Sequence, residues 1–176
     1  MRAPSARIDA EAVHPPFENV ASRRILEPDV VPPLPREPNV MTPLRVLIVD
    51  DHQMVREGLC SILKQYDDLT VVGQASTGEQ ALQLVRTLMP EVVIMDMHMP
   101  GWNGAESTKR ILKEHPATVV IGLSVQTDSH VSDSMLAAGA AGFLSKETIG
   151  SELYSTIHTA FRHMKSLTPS NSPLTA

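Results

Sequence analysis

Five polar side chains follow short apolar runs, in positions where they could act together. Asp50 and Asp51 end "RVLIVDD", Asp96 ends "EVVIMD", Ser124 ends "TVVIGLS" and Lys146 ends "GFLSK". Carboxylates held close together repel one another, so either they take up protons or a cation lies among them. A hard divalent cation such as Mg2+ prefers oxygen ligands and keeps waters that leave room for a phosphate. These residue types therefore indicate phosphoryl chemistry, in which an aspartate can act as the nucleophile.

Each of these side chains also has an ordinary structural explanation. Aspartate is a favoured N-cap, so Asp50 and Asp51 would cap the helix that follows them. Aspartate is also common in turns, so Asp96 would begin one before Pro-Gly. Ser124 would cap the next loop, and Lys146 would be solvated like most lysines. These explanations are independent of one another, whereas a shared site accounts for all five positions at once.

The elements that must position these side chains alternate along the chain. The apolar patterns predict strands and helices in turn. The strands are at 45–50, 69–75, 91–96, 118–124 and 142–146, and the helices are at 52–66, 77–88, 104–115, 129–139 and 149–164. Short strands joined by helices require a parallel sheet with right-handed crossovers. We therefore predict an α/β domain with a doubly wound five-stranded parallel sheet, which binds ligands at the carboxyl ends of its strands.

The two ends of the chain differ in composition from this domain. Residues 1–43 hold nine of the 14 prolines and no glycine, so we predict a disordered proline-rich extension. Met41 is an alternative translational start. Residues 165–176 are predicted to be a disordered tail or a linker stub.

Composition argues against several classes of partner. The net charge is -5 and aromatic residues make up 3%, so we expect no direct binding of nucleic acid. The single cysteine, Cys60, excludes an intrachain disulfide and is predicted to be buried. No apolar run approaches the roughly 20 residues that span a bilayer, and no secretory signal is recognisable. We expect a cytoplasmic protein without a membrane partner.

The motifs together resemble the receiver domain of bacterial two-component response regulators. The resemblance covers 44–164 and rests on four stretches, which are "VDD" at 49–51, "MDMHMPGWNG" at 95–104, "LSV" at 123–125 and "GFLSK" at 142–146. "DDHQMVREGL" and "AAGAAGFLSKE" are most similar to the subfamily that usually carries a LuxR-type helix-turn-helix after the receiver. The resemblance implies a flavodoxin-like sheet of strand order 2-1-3-4-5.

The resemblance also implies a phosphorylation site and its cofactor. Asp96 would be the phosphoacceptor, taking a phosphoryl group from a sensor histidine kinase or a phosphotransfer protein. Asp50, Asp51 and Asp96 would bind Mg2+ together with the backbone carbonyl of His98. His98 also lies near the path of an attacking water. The other histidines, His52 among them, show no paired metal-ligand spacing and are predicted to be surface residues.

A switch and an output surface complete what the resemblance implies. Ser124 and Lys146 would bind the phosphoryl group, and Phe143 would be the aromatic switch residue. The fourth helix, fifth strand and fifth helix would form the output face, with homodimerisation on phosphorylation as one outcome. Val125 stands where small residues are usual, so it would modulate access to Asp96.

Three alternatives compete with a phosphorylated receiver. A haloacid-dehalogenase-type phosphatase also uses an aspartyl phosphate, but it needs a second aspartate two residues after the nucleophile, where this chain has His98. The chain would otherwise be a LuxR-type transcription regulator truncated before its DNA-binding domain, or a receiver-fold interaction module that is never phosphorylated. We do not expect the chain to be an enzyme. It would catalyse only its own phosphorylation and dephosphorylation.

Overall fold

Five strands alternate with five helices in the computed structural model, which describes residues 42–125 and 129–167, with the backbone alone for Ser129 and Val131. The strands are β1 (Leu44–Val49), β2 (Leu69–Ala75), β3 (Val92–Asp96), β4 (Val119–Ser124) and β5 (Gly142–Ser145). The helices are α1 (Gln53–Leu63), α2 (Gly78–Leu88), α3 (Gly104–Glu114), α4 (Ser129–Ala137) and α5 (Ile149–Leu167). The extension up to residue 41 and the tail from residue 168 lie outside the described residues, so the predictions made for them stay predictions.

The strands form one parallel sheet in the order β2-β1-β3-β4-β5. This confirms the predicted doubly wound, flavodoxin-like fold. β1, β3 and β4 are the three inner strands, and helices cover both of their faces. Burial on both faces explains why these strands are nearly unbroken apolar runs in the sequence.

Successive side chains of each inner strand enter two different apolar clusters. In β1, Val46 and Ile48 pack with α1 and α5, whereas Leu47 and Val49 pack on the opposite face with α2, α3 and α4. The same alternation continues in β3 and β4, as a strand period of two requires. Cys60 is buried in the cluster below α1, as predicted. Each large side chain buried in this way contributes about 1.5–3 kcal/mol, and together they hold the strand ends in place.

Two helix ends differ from the sequence-based prediction by three residues, and the other element ends differ by two residues or fewer. α1 ends at Leu63 rather than at residue 66, because Gln65 and Tyr66 donate to carbonyls only three residues back, which tightens the chain into a turn. α5 continues past Met164 to Leu167, so residues 165–167 are helical and do not belong to a disordered tail.

Among the described residues, no helix combines the length and apolar character that crossing a bilayer requires.

Candidate functional site

The alternation of the sheet brings three charged side chains to one place. Asp50 follows Ile48 by two residues, and Asp96 follows Ile94 by two, so both continue the row of side chains that faces α1 and α5. Lys146 likewise follows Leu144, which belongs to the same cluster. The carboxyl ends of parallel strands lie at one edge of a sheet, so the three side chains meet there.

A single ammonium group bridges two buried carboxylates at this edge. Lys146 Nζ lies 2.5 Å from Asp50 Oδ2 and 3.0 Å from Asp96 Oδ1. Asp50 is 0% exposed, Asp96 2% exposed, and the Lys146 side chain 13% exposed. Buried carboxylates are tolerated only when they are paired. Because one positive charge faces two negative ones, the cluster remains negative and attracts a further cation.

Burial and charge act against each other on the pKa values of this cluster. Burial raises the pKa of Asp96 above its ordinary value, and the nearby Asp50 charge adds to the rise, while the contact with Lys146 opposes it. Burial alone would lower the pKa of Lys146, but the two carboxylates outweigh it and the pKa is raised. Lys146 is therefore firmly charged, and an ionised Asp96 is costly without a further cation.

Asp51 lies beside this pair and completes an oxygen-rich site. Its Oδ1 atom is shielded from solvent and accepts no hydrogen bond. Ligand atoms of Asp50, Asp51, His52 and Asp96 all lie within 4.8 Å of one another. Clustered carboxylates suit a hard divalent ion. The residues therefore fit Mg2+.

The first turn of α1 shows that the aspartates are not helix caps. The N-cap of α1 is His52, and its side chain makes no capping hydrogen bond. Asp50 Oδ1 instead accepts from the backbone N–H of His52 at 2.9 Å, and Arg56 donates to the backbone carbonyl of Asp50 at 2.7 Å. The capping explanation for Asp50 and Asp51 is therefore wrong, and α1 serves to hold Asp50 in place.

Ser124 lies on the other face of the sheet, close to His98. Its side chain is fully buried, and its Oγ atom is 3.5 Å from Nδ1 of the exposed His98 ring. Its backbone carbonyl accepts from the Lys146 N–H at 2.8 Å, which couples β4 directly to the lysine. A shift in the position of Ser124 would therefore also shift the backbone of Lys146.

The structure places Phe143 and Val125 outside the carboxylate cluster. Phe143 is partly buried against the apolar cluster under α2, α3 and α4, where it lies near Met135. Val125 is 65% exposed. Their predicted roles as switch and access residues remain predictions, as does the role of the His98 carbonyl.

Sequence reasoning missed two residues that shape the site. Gly104 begins α3, and a Cβ atom there would collide with the backbone of Asp96 and Met97. Glycine at this position therefore allows α3 to approach the carboxyl end of β3. His52 was assigned to the surface, and its side chain is indeed 68% exposed. Its ring nonetheless belongs to the carboxylate cluster, and its position directly after Asp50 and Asp51 was the available signal.

Replacing Asp96 by Asn is expected to stabilise the metal-free protein progressively as the pH rises. Because the folded-state pKa of Asp96 is raised, its stabilising effect is present below the ordinary carboxyl pKa and is lost as the pH rises through the raised value. Asparagine does not ionise and escapes this loss. Urea unfolding from about pH 3 to about pH 8 measures the difference, with Asp133→Asn, an exposed position, as control. If the free energy of unfolding gained by Asp96→Asn over the wild-type protein decreased as the pH rises, the expectation would be contradicted.

The fold and the acidic edge define a receiver domain. Residues 46–158 match the family described as the response regulator receiver domain, and the chain belongs to this family. It is 40% identical over 126 residues to the response regulator GacA of Pseudomonas viridiflava, covering 72% of this chain and 59% of that protein. It is 41% identical over 118 residues to UvrY of Escherichia coli K12, covering 67% and 54%. The chain thus spans little more than half the length of these curated relatives.

Solved structures agree in fold. The receiver domain of the putative response regulator NarL from Mycobacterium tuberculosis superposes with a TM-score of 0.66 at 30% identity, covering 69% of this chain and 98% of that one. A two-component response regulator of the LuxR family from an Aurantimonas species gives a TM-score of 0.67 at 29% identity, covering 69% and 87%. The predicted family and subfamily are confirmed, and the chain is a receiver domain of two-component signalling.

Proposed function

We propose that this domain accepts a phosphoryl group on Asp96 from a sensor histidine kinase or a phosphotransfer protein, in a reaction that depends on Mg2+. The observation that carries the proposal is the bridged carboxylate pair, in which Lys146 contacts both Asp50 and Asp96 at the buried edge of the sheet. The shielded Asp51 oxygen beside it, which accepts no hydrogen bond, supports a cation in the same site.

The chemistry follows from the positions of these side chains. A carboxylate oxygen of Asp96 forms a bond to phosphorus while the phosphorus–nitrogen bond of the donor phosphohistidine breaks, and the leaving imidazole takes up a proton. Asp50 and Asp51 would hold the Mg2+, which supplies positive charge that offsets the charge of the phosphoryl oxygens. Lys146 lies 3.0 Å from Asp96 Oδ1, so it can transfer its contact to a phosphoryl oxygen on the same carboxylate.

The output would begin at Ser124. In our proposal the Ser124 hydroxyl turns toward a phosphoryl oxygen, and the packing of Phe143 adjusts in response. Phe143 lies in β5, next to β4 in the sheet, and near Met135 of α4. A rearrangement there alters the surface formed by α4, β5 and α5. This surface is where we propose that a downstream partner or a second phosphorylated copy binds.

Acetyl phosphate, with and without Mg2+, tests the proposal. A receiver takes up one phosphoryl group per chain, and intact-protein mass measurement counts it. A phosphatase would instead release many equivalents of phosphate, and we propose that this chain does not, because His98 stands where that chemistry needs an aspartate. A receiver-fold module that is never phosphorylated would gain no mass, even with a cognate kinase. Either of these two outcomes would overturn the proposal.

We further propose that the protein acts in the cytoplasm and without binding nucleic acid through the described domain.

Replacing His98 by Ala is expected to shorten the lifetime of the phosphorylated state. The exposed ring lies against Ser124 at the mouth of the site, where it screens the approach of water to the phosphoryl group. Losing this screen should raise the hydrolysis rate between twofold and tenfold, or about 1 kcal/mol in activation free energy. Loss of the phosphoryl mass over time measures the rate, and His163→Ala, at an exposed position of α5, is the control. An unchanged rate would refute this role for His98.

A further inference from the structure

The ring of His52 lies closer to the acidic site than its exposure suggests. His52 Nδ1 is 2.7 Å from Asp51 Oδ1 and 3.4 Å from Asp50 Oδ1. The ring takes no part in capping α1, so helix formation does not explain its position. Its nitrogen and the three carboxylates form one group of potential ligand atoms.

These separations suit ligands that share one metal ion. Octahedral coordination with bonds of about 2.1 Å places adjacent ligand atoms about 3.0 Å apart. The two distances from Nδ1, 2.7 and 3.4 Å, lie on either side of that value. The ring nitrogen is therefore spaced from each of the two oxygens like a neighbouring ligand of one ion.

Lys146 takes the opposite side of the cluster. It contacts Asp50 Oδ2 and Asp96 Oδ1, whereas His52 approaches Asp50 Oδ1 and Asp51 Oδ1. The two oxygens of Asp50 thus face different partners, the Lys146 ammonium group and the His52 ring. An ion beside His52 would not have to displace the lysine from Asp50 Oδ2.

His52 and Asp51 are in close contact. The ring nitrogen lies 2.7 Å from Asp51 Oδ1, a distance that suits two ligands of one cation. A protonated ring could pair with Asp51 without any metal, and the experiment below separates that case from ligation.

We propose that His52 is a ligand of the cation site, so that the site accepts transition-metal ions as well as Mg2+. This inference rests on the metal site of the proposed function. Mg2+ favours oxygen ligands, whereas imidazole suits Zn2+, Ni2+ and Co2+. His52 therefore raises the affinity for these softer ions and contributes little to Mg2+ binding. The affinity of the site then depends on which divalent metal is present, because the His52 nitrogen is a ligand that a site of oxygen ligands alone lacks.

Titration calorimetry with Co2+ and with Mg2+ tests the role of His52. His52→Ala is expected to lower the Co2+ affinity at least tenfold and the Mg2+ affinity less than twofold. Pulsed electron paramagnetic resonance with Mn2+ should show coupling to an imidazole nitrogen in the wild-type protein and none in the variant. Because the ring makes no capping hydrogen bond, α1 is expected to remain folded, and His52→Asn provides a second variant.

Two control variants sharpen the comparison. His98→Ala removes the other ring near the site, and His163→Ala removes an exposed ring on α5. His163→Ala should retain the wild-type Co2+ affinity, and both variants should retain the nitrogen coupling. The inference is overturned if His52→Ala leaves Co2+ binding unchanged, if it weakens Co2+ and Mg2+ equally, or if His98→Ala abolishes the nitrogen coupling instead.

The result also remains separate from the proposed function. Mg2+-dependent phosphorylation measured on the same preparations reports on Asp96, and cobalt binding reports on His52. Normal phosphorylation combined with Co2+ binding that does not need His52 would overturn only this inference. Co2+ binding that needs His52, in a protein that takes up no phosphoryl group, would overturn only the proposed function.

Discussion

Asp96→Asn is expected to abolish phosphoryl uptake, whether the donor is acetyl phosphate or a cognate kinase. The substitution preserves the shape of the side chain and removes the charged oxygen that attacks phosphorus. No gain of phosphoryl mass should be detected in the presence of Mg2+, while the wild-type protein gains one group per chain.

Asp96 is the expected acceptor because its neighbours are already engaged. Both oxygens of Asp50 have partners, since Oδ1 accepts from the His52 N–H and Oδ2 contacts Lys146. Asp51 follows the end of β1, and its Oδ1 lies 2.7 Å from the His52 ring nitrogen. Asp96 is the last residue of β3, on a fully buried strand, and Lys146 stands 3.0 Å from it, ready to receive a phosphoryl oxygen.

A second variant separates the acceptor from the metal site. Asp51→Asn keeps Asp96 and removes a charged metal ligand, so it should still be phosphorylated but need more Mg2+. Asp133→Asn, at an exposed position of α4, should behave like the wild-type protein. Uptake of a phosphoryl group by Asp96→Asn, or its loss in Asp51→Asn alone, would assign the acceptor elsewhere.

Local pattern explains why so much of the site was predictable. The apolar runs leading into Asp50 and Asp96 identify buried parallel strands, and such strands bring their carboxyl ends to one edge. The period of two then places Asp50, Asp96 and Lys146 on the same face. Neither step requires knowledge of side-chain contacts, so the fold and the meeting of these three residues at one edge follow from the sequence, whereas the bridge that Lys146 makes between the two carboxylates does not.

What escaped prediction depends on contacts that no local pattern encodes. The ring of His52 is turned toward Asp51, and sequence spacing carries no information about that rotation. Gly104 is needed because α3 approaches the backbone of Asp96 and Met97, which is a tertiary contact. The end of α5 at Leu167 depends on how far the helix continues before Pro169, and helix ends are the least well determined part of any pattern.

Lys146→Met is expected to destabilise the metal-free protein more than any other single change at the site. Methionine keeps the length of the side chain and removes the charge that holds Asp50 and Asp96 together. Breaking a buried ion pair by removing one partner costs about 3–5 kcal/mol. The Lys146 side chain is 13% exposed, so we expect about 3 kcal/mol at neutral pH, measured by urea unfolding.

Two additions should restore part of this loss, for the same electrostatic reason. Asp96→Asn in the Lys146→Met background removes one of the two carboxylates left without a partner, so the double variant should be more stable than Lys146→Met alone. Saturating Mg2+ should also reduce the difference in free energy of unfolding between Lys146→Met and the wild-type protein, because a bound cation replaces part of the missing charge. The side chains of Lys146 and Asp96 are in contact at 3.0 Å, so the effects of the two substitutions on the free energy of unfolding should not be additive.

The matched control is Lys109→Met, which removes an exposed lysine from α3. Exposed positions of this kind change stability by roughly 0.5 kcal/mol or less. If Lys146→Met were as mild as this control, the lysine would not be neutralising the buried carboxylates. If it were strongly destabilising but unaffected by Asp96→Asn, the loss would come from packing of the lysine stem rather than from charge. Only destabilisation that both Mg2+ and Asp96→Asn relieve supports a cluster whose negative charge exceeds what Lys146 balances. Such an excess of negative charge is what would attract a metal ion to this edge of the sheet.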